Sequence, residues 1–185
     1  MRFEIVAVSK RLLCPDEFLE RVEALAEVKA ALILREKDLA PDAYEALARK
    51  VSELYAKHGA PLIVHGFPDV VGRVRCAGFH APFSLLKQRP GLCRELHPLP
   101  VGVSVHSVKE ALFAAASGAA RVVVGNIFET ASKKGVAGRG VEFLAEVCWR
   151  VPIPVYAIGG ISERNIFAVR DAGAAGACMM SYFMS

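Results

Sequence analysis

The chain lacks most of the features that mark a specialised class. No apolar stretch reaches the ~18 residues of a membrane span, and the N-terminus has no basic segment followed by an apolar h-region. A membrane span and a signal peptide are therefore not expected. The five cysteines (Cys14, Cys76, Cys93, Cys148, Cys178) are odd in number and far apart, and no pair has metal-ligand spacing. Reduced, mostly buried thiols in a cytoplasmic protein follow from that pattern. No two histidines or carboxylates have zinc-like spacing, and acidic residues at predicted strand ends reduce to Glu36 and Glu129. That is poor material for Mg²⁺, so no metal or other cofactor is expected. The charge excess of +4 is too small and too dispersed for a nucleic-acid partner. Lys133, Lys134 and Arg139 are the tight basic group, and three charges in one loop suit a small phosphorylated ligand.

What the chain does have is repetition. Apolar β-branched runs recur at Phe3 to Val8, Ala30 to Leu34, Pro61 to Val64, Val101 to Ser104, Val122 to Val124 and Pro154 to Ile158. Gly78 to His80 and Ala177 to Met180 are weaker members of the series. Between them lie helical spacings, as at Tyr44, Leu47, Ala48, Val51, Leu54 and Tyr55. Asp38, Ser107 and Ser162 stand where helix caps belong, Ser107 with Glu110 in capping-box register. Eight strands alternating with helices predict an α/β fold, a compact (β/α)₈ TIM barrel forming one domain over residues 1–185. The rival open sheet would carry a glycine fingerprint after its first strand, and residues 9–14 contain no glycine. The eighth outer helix is expected to be missing or truncated, because the chain stops at Ser185. A groove left by that helix would expose apolar sheet at about 25 cal/mol per Å², so a homodimer that covers it is one expectation and a truncated chain the other.

A barrel gathers its strand ends at one mouth, which makes candidates of Arg35, Lys37, His65, His80, Ser104, His106, Asn126, Thr130, Ser132, Lys133, Gly159, Gly160 and Ser181. Gly159-Gly160 after the seventh strand leaves backbone N–H groups available to a phosphate, though a plain turn would look the same. His106 and His80 are the acid/base candidates near neutral pH.

The run Gly125-Asn126-Ile127-Phe128-Glu129-Thr130-Ala131-Ser132-Lys133-Lys134-Gly135, with Gly138-Arg139-Gly140, resembles the TenI branch of the thiamine phosphate synthase superfamily. Arg35-Glu36-Lys37, Gly102-Val103-Ser104-Val105-His106-Ser107 and Ala157-Ile158-Gly159-Gly160-Ile161 match it in order. The resemblance implies a thiazole tautomerase, an isomerase that aromatises a carboxythiazole phosphate in thiamin biosynthesis without metal. It implies that Thr130, Ser132, Lys133, Gly159, Gly160 and Ser181 hold the phosphate, with Arg35, Lys37 and Ser104 on the rest of the substrate. The proton would pass through His106 or His80. Asn126 stands where that branch has a histidine, and an amide cannot carry the proton itself. The alternative is thiamine phosphate synthase, which couples a pyrimidine methyl diphosphate to the thiazole phosphate with Mg²⁺. Its pattern has Asn-Asp after strand three and an acid after strand four, where this chain has His65-Gly66 and Leu85. Loss of that activity is the expectation. A third reading is a non-catalytic phosphate-binding or regulatory homologue.

Overall fold

The computed structural model describes residues 3–130 and 135–185. Its parallel strands close into a barrel in chain order: β1 Glu4–Val8, β2 Ala31–Leu34, β3 Leu62–His65, β4 Gly78–Pro82, β5 Val101–Val105, β6 Arg121–Gly125, β7 Val155–Ile158 and β8 Gly176–Met179. Helices follow the strands, as the alternating pattern predicts. The chain divides into two units, Val6–His80 with Met180–Ser185 and Met1–Ile5 with Ala81–Met179. No helix among the described residues is long and apolar enough to cross a membrane.

In the first unit, β2 pairs with β3 in the register Leu32↔Leu62 to Leu34↔Val64, and β3 with β4 from Ile63↔Gly78 to His65↔His80. β3 is buried along its whole length, which is why its sequence is apolar throughout instead of alternating. Helix α1 (Phe18–Glu27) buries Phe18, Val22, Leu25 and Ala26, one face at helical spacing. Helix α2 (Pro41–His58) buries Tyr44, Ala48, Val51, Ser52 and Tyr55 on its own stripe. Pro41 opens it, where the absent N–H costs nothing, and Gly59 closes it at φ +65°. Asp38 is not its cap: the cap position is Ala40, and Asp38 instead pairs with Arg11. After β3, Pro68–Arg73 form a 3₁₀ turn.

In the second unit, β5, β6, β7 and β8 pair in succession, from Gly102↔Arg121 through Val122↔Val155 to Tyr156↔Gly176. The proline-rich stretch folds into two short helices, α3 (Phe83–Gln88) and α4 (Leu92–Glu95). Helix α5 (Val108–Ala116) starts as the capping box predicts, with Ser107 accepting from the Glu110 N–H. Glu110 reaches back one residue further than expected, to the His106 N–H at 2.6 Å. Helix α6 (Gly140–Arg150) buries Leu144 and Val147. Helix α7 (Ile166–Asp171) begins after Asn165, so Ser162 is not its cap. Ser162 opens a turn whose N–H donates to Asn165 Oδ1 at 2.8 Å. After β8 the outer layer continues in the first unit as a single turn, α8 (Ser181–Met184).

Candidate active site

Three strand ends build the first unit's part of the rim. Ser9, directly after β1, is fully buried and donates its hydroxyl to Glu36 at 2.6 Å while accepting from the Arg35 N–H at 2.8 Å. Glu36 also accepts from the Arg11 N–H through both oxygens, each at 3.1 Å. Burial pushes its carboxyl above the usual range, and these hydrogen bonds oppose the shift. The motif's central acid therefore ties β1 to β2 and has no oxygen to spare. Arg35 is half-buried and makes no ion pair among the described residues, and desolvation lowers its pKa. Lys37 is exposed.

Tyr44, reaching up from α2, donates its hydroxyl to Leu34 O at 2.7 Å and accepts from the His65 N–H at 2.9 Å. It thereby fixes the ends of β2 and β3 together. His65 and His80 are both buried, with stacked rings 5.6 Å apart. Desolvation, with the Arg35 and Lys37 charges behind it, pushes the His65 imidazole down to about 3. This ring is neutral at working pH, and the field around it is positive. Ser181 is exposed at the start of α8.

In the second unit, β6 continues beyond Gly125 by pairing its loop with the end of β7. Ile127 N donates to Ile158 O and Phe128 N to Gly159 O, both at 3.0 Å. The loop returns where Arg139 N and Gly140 N donate to Asn126 O and Ile127 O. The Gly159-Gly160 turn lies against this loop so closely that a Cβ on Gly159 would sit 2.5 Å from Asn126 Cβ. A Cβ on Gly160 would sit 2.8 Å from Phe128 Cβ. The glycine pair is thus first a packing requirement. No backbone acceptor among the described residues takes the Gly159 or Gly160 N–H.

His106 is exposed, and its Nδ1 lies 2.8 Å from Gly125 O. A carbonyl can only accept, so Nδ1 carries a proton and donates to it. Arg139 donates to His106 O and stacks 4.0 Å above the Phe143 ring, holding the same corner. Asn126 corrects an expectation. It is buried, and its amide donates to Phe128 O at 3.3 Å and faces Val136 O and Ala137 O at 3.4 and 3.5 Å. It fastens its own loop. Asn165 likewise serves a turn, donating to Gly160 O at 2.9 Å. Ser104 and Thr130 are half-buried with partners of their own. Ser132 and Lys133 lie outside the described residues.

Ser9, Arg11 and Tyr44 are site-building residues that sequence reasoning did not single out. Ser9 carried a signal, being the first polar residue after an apolar strand. Tyr44 carried none, because its spacing marks it only as core.

The fold defines a (β/α)₈ barrel. The family described as thiamine monophosphate synthase matches residues 5–183. The chain is 34% identical over 173 residues to the thiamine-phosphate synthase of Lacticaseibacillus paracasei, covering 90% of this chain and 79% of that protein. It is 32% identical over 182 residues to the putative thiamine-phosphate synthase 2 of Aquifex aeolicus, covering 97% of each. The thiamine phosphate pyrophosphorylase structure from Pyrococcus furiosus superposes with a TM-score of 0.78 at 27% identity, over 97% of this chain and 86% of that one. The chain belongs to the thiamine monophosphate synthase family.

These names overturn the tautomerase-branch assignment and the isomerase activity that went with it. The motifs quoted for that branch lie at strand ends and in the β6 and β7 turns. Mg²⁺, which the synthase resemblance implies, does not fit the donors present. No group of three or more His, Cys, Asp or Glu among the described residues could hold a metal ion. The oxygens of Glu36 are taken, and β3 ends in a buried imidazole beside two cations.

Proposed function

We propose that the chain catalyses the thiamine-phosphate synthase reaction, joining a pyrimidine methyl diphosphate to a thiazole phosphate. The thiazole nitrogen attacks the pyrimidine methylene carbon, the C–N bond forms as the C–O bond breaks, and pyrophosphate leaves with the electron pair. The observation that carries this reading is the family match across residues 5–183, with relatives of that name at more than 30% identity over nearly the whole chain. The rim chemistry supports it. Gly159 and Gly160 offer unspent N–H groups for the thiazole phosphate. Arg35 and Lys37 supply positive charge where the leaving diphosphate gathers negative charge. His106, its Nδ1 turned to Gly125 O, adds an exposed imidazole edge as a further polar contact for the substrate. A cytoplasmic setting accords with five free cysteines.

Incubating the protein with both substrates, with and without Mg²⁺, is expected to yield thiamin phosphate and pyrophosphate. Arg35→Ala should lower the rate by about 10²–10³, the usual loss for one preorganised charge-stabilising donor. Failure to form thiamin phosphate under either condition would overturn the reading.

A further inference from the structure

Resting on that reading, we propose that this chain holds the diphosphate without a divalent cation, its charge met directly by Arg35 and the positive rim around the end of β3. A metal-bridged diphosphate needs carboxylates that face the ion with free lone pairs. Here the rim has the opposite polarity. Glu36 is the buried carboxylate of this corner, and Ser9 Oγ at 2.6 Å and Arg11 N at 3.1 Å occupy both its oxygens. The strand β3 ends in His65, 5% exposed and stacked on His80, and Gly66 beside it has no side chain to offer.

Arg35 is a desolvated cation without an ion pair among the described residues. The hydrogen bond from its backbone N–H to Ser9 Oγ at 2.8 Å fixes the start of its side chain. Arginine suits this task because its planar donors grip phosphate oxygens bidentately and stay charged. The depressed imidazole of His65 reports the same field from the other side. A second cation brought to this corner would be repelled by Arg35 and Lys37, whereas a diphosphate would offset the desolvation of Arg35. The corner replaces a carboxylate–metal–phosphate bridge with a direct guanidinium–phosphate contact.

The test is calorimetric titration of the full chain with inorganic pyrophosphate, once in chelator and once with Mg²⁺, beside the coupling assay under the same two conditions. Binding in chelator should lie within tenfold of binding with Mg²⁺. Arg35→Ala should weaken it at least tenfold and Arg35→Lys by less, with circular dichroism confirming that both variants fold. Binding at least tenfold tighter with Mg²⁺, no binding in chelator, or an unchanged affinity in folded Arg35→Ala would each overturn the inference. The two readings fail separately. Thiamin phosphate formed only with Mg²⁺ leaves the synthase reading standing and removes this one. Pyrophosphate bound in chelator with no thiamin phosphate under either condition does the reverse.

Discussion

Burial and two nearby cations keep the His65 imidazole neutral down to about pH 3, and that has a consequence for stability. In the unfolded chain the same ring takes up a proton near pH 6.5. Between those values the unfolded state binds more protons, so stability is fully present above pH 6.5 and is lost as pH falls toward 3. The loss should reach a few kcal/mol. Denaturant melts across that window should show His65→Asn with a flatter pH profile than the wild type. Equal slopes would mean that the ring is not held neutral. Tyr44 acts at the same scale. Its hydroxyl satisfies the buried His65 N–H and Leu34 O. Tyr44→Phe leaves that amide unpaired and should cost about 1–3 kcal/mol in chemical denaturation. Because Tyr44 locates the ends of β2 and β3, the same variant should also weaken pyrophosphate binding.

At the scale of elements, the two turns that close the β6 and β7 loops onto each other depend on close backbone approach. Gly160 and Gly59 share a φ of +65°, but their surroundings differ. Nothing lies within 4 Å of a Cβ built on Gly59, whereas one on Gly160 would meet Phe128 Cβ at 2.8 Å and the Glu129 carbonyl. Gly59→Ala should cost only the left-handed backbone term, about 1–2 kcal/mol. Gly160→Ala carries that term plus overpacking and should cost about 2–5 kcal/mol. Comparable midpoints for the two variants would show that conformation alone governs the β7 turn. The Ser107 cap is an element the sequence announced correctly, because a capping box is a local pattern. Asp38 and Ser162 look equally like caps. Arg11 takes the first and Asn165 the second, through contacts that no short window contains.

For the molecule as a whole, the barrel was legible because its strands are buried and read as apolar runs at a regular interval, with helices of one apolar stripe between them. Burial periodicity is written along the chain, so eight strand positions and their order followed from it directly. The strand-end polar residues were legible for the same reason. Their roles were not. Asn126 and Glu36 sit in the middle of the two most recognisable motifs, yet one fastens a loop and the other bridges β1 to β2. His65 and His80 become a stacked pair only because β3 and β4 lie side by side in register. The branch of the family was misread, as the relatives' names show, and the coupling assay with and without Mg²⁺ is the measurement made on the whole protein. The sequence by itself determined the fold and the order of its strands, since these depend on residue type and spacing. Only the tertiary structure decided which of the strand-end polar residues is spent on neighbours and which remains for a ligand, because hydrogen-bond satisfaction and desolvation are set by atoms far away along the chain.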